Sequence, residues 1–337
     1  MQKNTSELLE YLKRDKSKRE VAMLRPLIYS IVKCGDNTDA DAILTQYLSH
    51  PTDFHYSYLL LIFKAFGNHS MAEQIFNVSF HQGKLNENTD AEILEVLGCL
   101  KYEPIKQILA TYIFEHTDTD YYISKYAVLG LLHFDCEAYQ DKIEKAIENC
   151  YGKNLFPEFI PALVCKVKNK KTVLEKLYEL GCEHASTDCN AGIILGFSLC
   201  GEEGKHYFRK VLFDRNWETS STGTGTVYFA YEGLKKLDIT FKELYLEIKT
   251  ISDKDKLAYC IDVLFALLRR KIEDIEINPI EQFSDIYTAL FQWKNKSESD
   301  TVTDLAARVD KTQEVYEIEK CIELKMIEEA LLRNYKI

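Results

Sequence analysis

The chain has 337 residues, of which 46% are hydrophobic and 28% are charged. This length exceeds what one compact core organises, so the chain must divide into domains or grow by repetition, and the composition excludes wholesale disorder. The formal net charge of −11 disfavours general binding to nucleic acid, because the phosphate backbone would repel an acidic protein.

Fourteen glycines and six prolines are few for a chain of this length. All-β proteins need frequent turns and usually contain more of both residues. No apolar run approaches the roughly 18 residues of a membrane span, and no hydrophobic signal segment follows the first residues. We therefore expect a helical, cytoplasmic protein without a membrane segment.

The chain begins with a basic segment. Residues 1–33 carry eight Lys and Arg against four Asp and Glu. The end of a helical repeat array needs a helix that covers its last apolar face and presents a polar exterior. We predict such an N-terminal capping helix over residues 1–18.

After the predicted cap, an apolar helical segment that ends near a glycine returns at a nearly fixed interval. The spacings between successive glycines are 32, 31, 32, 66 and 37 residues, for Gly35, Gly67, Gly98, Gly130, Gly196 and Gly233. The spacing of 66 is two periods, and residues 160–164 fill the skipped position. This periodicity predicts helical repeats over residues 19–293.

Local signals support a repeating unit of two helices joined by a turn. Pro104 fits the first turn of a helix, and Gly181 and Gly201 fit the left-handed position that follows a helix. In a capping box, a hydroxyl and a carboxylate three residues later satisfy free backbone N–H groups. Capping boxes are predicted at Ser70–Glu73, Thr89–Glu92 and Thr240–Glu243.

Residues 118–120, followed by residues 124–132, resemble the first helix of a HEAT repeat. That helix typically has Asp in the preceding turn, a small residue in its middle and a Leu-Gly pair near its end. Residues 190–196 and 90–98 match more loosely. The proline usual in that helix appears only at Pro26 and Pro161, and the usual arginine is absent from most units.

The resemblance covers roughly residues 20–270 and concerns architecture alone. It implies an all-α fold, a right-handed α-solenoid of about seven to eight two-helix HEAT-like repeats with helical caps. It implies no activity by itself.

A segment at residues 214–226 interrupts the repeat. Gly223-Thr224-Gly225 lacks the lysine of a P-loop and follows no strand, so we predict no nucleotide site there. The segment either connects two repeats or contacts a partner. Trp217 and the neighbouring Arg215 are typical of a binding hot spot if they are exposed.

The C-terminal part is acidic. Residues 273–329 hold six Lys and Arg against fifteen Asp and Glu. We predict a C-terminal acidic helical cap over residues 294–337, and a basic protein as the partner. Glu314, Glu317 and Glu328 are the residues predicted to contact it.

The ten cysteines are spread singly and form no CxxC motif. Most, including Cys99, lie in apolar helical segments, which predicts reduced cysteines that pack as small hydrophobic residues. Cys182-Glu183-His184 with Asp188-Cys189 fits no structural zinc pattern. No metal site, cofactor or catalytic residue is therefore predicted.

The sequence favours a non-enzymatic, protein-binding solenoid, for example a bacterial immunity or antitoxin-type protein or an adaptor. The 21 tyrosines, which include Tyr122 and Tyr228, either fill grooves between helices or form a binding face. Two other functions stay open. One is a HEAT-like DNA glycosylase, which needs a basic concave groove. The other is a regulator that senses a peptide or a small ligand.

Overall fold

A computed structural model describes nine stretches of the chain. Their bounds are residues 2–15, 18–19, 21–54, 57–115, 121–150, 159–183, 187–217, 226–248 and 250–275. The structure is 77% helix and 2% strand, which confirms the all-α prediction. Within the described residues, no helix is both long enough and apolar enough to cross a bilayer.

The chain divides into two compact units, residues 1–149 and residues 150–337. The predicted boundaries at residues 18 and 293 stay predictions, and the second lies outside the described residues. Each unit is built mainly from helices of about two to four turns, the length at which buried side chains rather than isolated helix formation supply most of the stability.

Nine α-helices are described in the first unit. Short 3₁₀ segments lie at Pro51–Asp53, Ser57–Leu60 and Glu137–Tyr139. The helices are α1 (Lys3–Leu12), α2 (Val21–Cys34), α3 (Asn37–Ser49), α4 (Leu61–Phe66), α5 (His69–Ser79), α6 (Ile93–Cys99), α7 (Glu103–Phe114), α8 (Tyr121–Leu131) and α9 (Gln140–Glu148). Helices α2, α4, α6 and α8 pack in succession, and α1, α3 and α5 form a second succession.

The second unit continues with six described α-helices. Two 3₁₀ segments, Ile160–Lys166 and Arg215–Trp217, lie between them. The helices are α10 (Lys170–Glu183), α11 (Thr187–Leu199), α12 (Glu202–Leu212), α13 (Thr226–Lys236), α14 (Phe241–Ile248) and α15 (Lys254–Ile275). Helix α11 packs on the first 3₁₀ segment and on α13, and α13 packs on α15. Separately, α10 packs on α12.

A small hairpin interrupts the helices of the first unit. Strands β1 (Phe80–His81) and β2 (Lys84–Leu85) pair antiparallel. Gln82 and Gly83, which connect them, have φ of 49° and 75°. Two consecutive residues with positive φ form the type of turn that matches the twist of a tight hairpin. The sequence pattern did not predict this hairpin.

One predicted capping box is confirmed. The Thr240 N–H donates to the Glu243 carboxylate at 2.9 Å, and the Glu243 N–H donates to the Thr240 hydroxyl at 3.2 Å. Pro104 lies in the first turn of α7, as predicted. Another box, which the sequence analysis did not identify, is formed by Asp36 and Asp39 at the start of α3.

The other two predicted boxes are wrong. Helix α5 is capped by Asn68, whose side chain accepts from the Met71 N–H at 3.1 Å. Asp90, rather than the predicted Thr89, accepts from the Glu92 N–H at 2.9 Å. In both cases an Asn or Asp close to the predicted position supplies the acceptor, since these short side chains are as effective as Ser or Thr as caps.

The periodic glycines lie near helix ends, and two of them also allow a close crossing of helices. A Cβ atom added to Gly98 in α6 would lie 2.4 Å from the carbonyl oxygen of Gly130 in α8. A Cβ atom added to Gly130 would lie 2.6 Å from the carbonyl oxygen of Leu94. The backbones of α6 and α8 can therefore approach this closely only because both residues lack a side chain.

The two predicted helix-ending glycines differ. Gly201, between α11 and α12, has the positive φ of 57° that the prediction required, but its ψ of −133° lies outside the left-handed helical region. Gly181 lies inside α10, so the prediction that it ends a helix is wrong. It is adjacent to the ring of Trp217, which occupies the space that a side chain at position 181 would need.

Leucines that precede the periodic glycines lie in the core. Leu97, Leu129 and Leu195 precede three of the periodic glycines, and all three are buried. This confirms the prediction from the glycine spacing that the leucine before the glycine is buried in α6, α8 and α11. Burial of such residues from successive helices builds the core of each unit.

Candidate functional site

The α6–α8 crossing brings together polar side chains that are far apart in the sequence. Cys99 directly follows Gly98 at the end of α6. His133 follows Gly130 by three residues, and its backbone N–H donates to the Gly130 carbonyl at 3.2 Å. The two glycines let α6 and α8 approach closely, which brings the chain that carries His133 near Cys99.

Three side chains that can ligate a metal meet at this crossing. Cys99 Sγ and His133 Nε2 lie 3.0 Å apart. Glu95 precedes Cys99 by four residues on α6, so both side chains lie on one face of the helix. One donor atom from each of Glu95, Cys99 and His133 lies within 4.8 Å of the other two. We name these three residues the donor cluster.

A largely buried ion-pair network borders the donor cluster. The Lys64 ammonium group on α4 lies 2.8 Å from Glu92 Oε1 and 3.1 Å from Glu95 Oε2. The Glu92 side chain is only 6% exposed. Its second carboxylate oxygen is buried and has no hydrogen-bond partner among the described residues. One cation therefore faces two carboxylates, a combination that is costly to bury unless further positive charge is present.

The pKa values of Glu92, Lys64 and Cys99 are all raised, but not for the same reason. Burial raises the pKa of Glu92 to about 7, against the attraction of Lys64. Burial by itself opposes the charge of Lys64, but Glu95 and Glu92 together outweigh it and hold the pKa of Lys64 above its usual range. Burial, with a smaller effect of Glu95, raises the pKa of the Cys99 thiol to about 11.

These shifts restrict the chemistry that Cys99 can perform. Nucleophilic cysteines have a lowered pKa, because the thiolate is the reactive form. Cys99 beside His133 therefore does not have the electrostatics of an activated nucleophile, since its thiol is protonated at neutral pH. A bound divalent cation would displace that proton, so the arrangement suits metal ligation better than nucleophilic catalysis.

The surface around the cluster is aromatic and acidic. Tyr122 and Tyr126 are four residues apart on α8, and the Tyr122 side chain is 59% exposed. Burial, followed by the negative charges of Glu92 and Asp90, holds the pKa of the Tyr126 hydroxyl above its usual range. The site therefore extends from the buried Glu92 outward to the exposed His133, and the exposed Tyr122 lies one helical turn from Tyr126 on α8.

Trp217, the predicted hot-spot residue, does not meet the condition of exposure. Its side chain is 0% exposed. The Trp217 ring stacks at 6.4 Å from Tyr178 and lies 6.2 Å from Phe197. The Asn190 side-chain amide donates to the Trp217 carbonyl at 3.2 Å. A residue enclosed in this way stabilises the second unit and cannot contact a partner unless that unit rearranges.

The other predicted contact residues have different outcomes. Arg215, two residues before Trp217, is exposed. Its contact with a partner stays a prediction. The neighbouring Trp217 is buried and would not join that contact. Glu314, Glu317 and Glu328 lie outside the described residues.

Comparisons with protein-family models, with curated proteins and with solved structures find no match. A function for this chain is therefore supported by its own structure alone.

The sequence analysis missed the donor cluster because it examined each cysteine by its immediate neighbours. Cys99 and His133 are 34 residues apart, close to one repeat period. Residues at equivalent positions of stacked repeats are neighbours in space. A search for ligand residues one period apart would have found this pair, and the i, i+4 spacing would have added Glu95.

Proposed function

We propose that this chain is a non-enzymatic α-solenoid of HEAT-like helix pairs whose function is to bind a protein partner. The observation that carries the proposal is the packing of alternate helices. Helices α2, α4, α6 and α8 pack in succession in the first unit, as do α11, α13 and α15 in the second.

This pattern is what stacked helix pairs produce. In a solenoid each repeat contacts only its neighbours, so corresponding helices of successive repeats form a row. The close contact of Gly98 with Gly130 joins corresponding positions of two such helices. Repeats of this kind typically present extended binding surfaces. We therefore propose the right-handed arrangement that the HEAT resemblance implies, with binding as its purpose.

The face of α6 and α8 around Tyr122 is the surface that we propose for the partner. An exposed tyrosine supplies a large contact area at a low entropic cost, and aromatic residues are enriched among interface hot spots. Asp90, Glu92 and Glu95 give this face a negative potential at Tyr126. A partner with a basic surface would complement it.

The test has two steps and uses the full chain. The chain is first used as bait in its native host, and an isolated candidate partner is then titrated against it. We expect Tyr122→Ala to weaken binding by about tenfold or more, the scale of an interface hot spot. Tyr228→Ala is the matched control, because Tyr228 is a 42% exposed tyrosine in the second unit.

The result separates three cases. If only Tyr122→Ala weakens partner binding, the proposed face is supported. If only Tyr228→Ala weakens partner binding, the interface lies on the second unit. If no protein binds the chain directly in the isolated system, the binding function is wrong.

The acidic C-terminal part is a separate predicted contact. Triple charge reversal at Glu314, Glu317 and Glu328 should slow association more at low salt than at high salt, because screening shortens the reach of charge attraction. The association rate constant is measured at two salt concentrations for the variant and the wild type. An unchanged rate at both concentrations would remove these residues from the interface.

A further inference from the structure

We propose that Glu95, Cys99 and His133 together bind one Zn²⁺ ion at the α6–α8 crossing. This proposal does not depend on the partner-binding function, because the three donor groups belong to a single unit of the chain. It concerns a site that the sequence analysis did not predict.

The chemistry of the donor groups favours zinc. Cysteine thiolate, histidine imidazole and glutamate carboxylate are the three side-chain types that ligate Zn²⁺ in proteins. Magnesium and calcium prefer oxygen donors alone, and sites built from thiolates select copper(I), zinc or iron–sulfur clusters. A mixed set of one sulfur, one nitrogen and one carboxylate oxygen therefore matches zinc best.

The geometry needs little change to accept the ion. Zinc–sulfur and zinc–nitrogen bonds of about 2.3 and 2.1 Å in a tetrahedral site place the two donor atoms roughly 3.6 Å apart. Cys99 Sγ and His133 Nε2 are already 3.0 Å apart. All three donor atoms lie within 4.8 Å of one another, close enough to face one common ion.

The backbone around the site is held in place. Cys99 and Glu95 are one turn apart on α6, and the Gly98–Gly130 contact sets the position of the chain that carries His133. Lys64 holds one oxygen of Glu95 at 3.1 Å. In metal sites a ligand carboxylate is typically held by a neighbouring group that orients it, and Lys64 has that position beside Glu95.

The charges at the site support a divalent cation. Lys64 faces two carboxylates, and within the part of the chain that the structure describes the buried second oxygen of Glu92 has no hydrogen-bond partner. When Zn²⁺ binds, the Cys99 S–H bond breaks, its proton passes to solvent and a zinc–sulfur bond forms. The charges of the ion, Lys64, the two carboxylates and the thiolate then cancel. Among the described residues only three donors converge here, which leaves a fourth coordination position for water.

The proposal is tested by titrating metal-free, full-length protein with Zn²⁺ in competition with a chromophoric chelator. We expect one ion per chain at the tightest site. Co²⁺ used in place of zinc should give a thiolate-to-metal charge-transfer band and the intense visible bands of a tetrahedral site. Cys99→Ser and His133→Gln should each weaken zinc binding by at least about tenfold, and Cys99→Ser should abolish the charge-transfer band.

Matched controls test whether the site is specific. Cys34 and His206 are exposed residues that do not belong to the donor cluster, so Cys34→Ser and His206→Gln should bind zinc like the wild type. His133 is also exposed, and its substitution should leave the helical circular dichroism spectrum unchanged. The proposal is overturned if the wild type binds no zinc more tightly than His133→Gln does, or if Cys34→Ser loses the cobalt charge-transfer band.

Discussion

The α6–α8 crossing of the first unit and the contact between α10 and Trp217 in the second unit both depend on a glycine without a side chain. At the crossing, a Cβ atom on Gly98 would lie 2.4 Å from a backbone oxygen. In the second unit, a Cβ atom on Gly181 would lie 2.2 Å from the Trp217 ring. The space left by glycine is used by a second backbone in one case and by an indole ring in the other.

The surroundings of the two glycines differ in polarity. Beside Gly98 lie the donor cluster and the network of Lys64 with Glu92 and Glu95. Gly181 instead adjoins an aromatic group that includes Trp217, Tyr178 and Phe197. An apolar cluster of this kind contributes stability through burial. A partly buried polar cluster costs stability, so its presence is more readily explained by a function.

The difference in polarity between the two regions predicts the largest change in stability at the aromatic cluster. Trp217→Ala should lower the free energy of unfolding by about 3–5 kcal/mol, because it removes a fully buried ring and leaves a cavity. Urea denaturation followed by circular dichroism measures the change. The control Tyr122→Ala, at an exposed aromatic position of the first unit, should change stability by about 0.5 kcal/mol or less. A comparably small change at Trp217 would contradict its structural role and restore its predicted role in binding.

A pH-dependent effect should distinguish the polar cluster from the aromatic one. The pKa of Glu92 is raised from its ordinary value of 4.5 to about 7 in the folded chain. Between these values the folded state binds more protons than the unfolded state, so the stability contributed by protonated Glu92 is lost as pH rises. The loss amounts to at most about 3 kcal/mol between pH 4.5 and pH 7.

Glu92→Gln should remove this contribution. The difference in unfolding free energy between wild type and Glu92→Gln is measured at pH 5 and pH 7.5, in a buffer that contains a metal chelator. At the higher pH the unfolding free energy of the wild type should be lower relative to that of Glu92→Gln than it is at pH 5. Glu73→Gln, at an exposed glutamate, is the control and should show no such shift. A Glu92→Gln difference that is constant with pH would mean that Glu92 has an ordinary pKa.

The third effect concerns the backbone contact itself. Gly130→Ala should destabilise the chain by about 1–3 kcal/mol, because the new methyl group would overlap the Leu94 carbonyl and force α6 and α8 apart. Helix propensity alone predicts the opposite sign, a gain of about 1 kcal/mol. Ser124→Ala on the same helix is a control for propensity and should have a small effect. A stabilised Gly130→Ala variant would show that the two helices do not touch at this point.

The helical architecture could be predicted because its signals are local and periodic. The composition and the spacing of apolar residues determine helices, and the glycine period placed Leu97, Leu129 and Leu195 at equivalent buried positions. The capping prediction was correct at Thr240 and Glu243, whose side chains each accept from a backbone N–H at the start of α14. It was wrong at Thr89, where the nearby Asp90 supplies the acceptor instead.

By itself, then, the sequence determined the helical class of this protein and the period at which its helices recur, because both depend on neighbours within a few turns of chain. The tertiary structure alone decided that Cys99 meets His133, that Lys64 faces Glu92 and that the Trp217 ring fills the space beside Gly181. Such contacts depend on the distance and rotation at which two helices cross. Those quantities are set by packing across the whole unit, so no local pattern in the sequence specifies them.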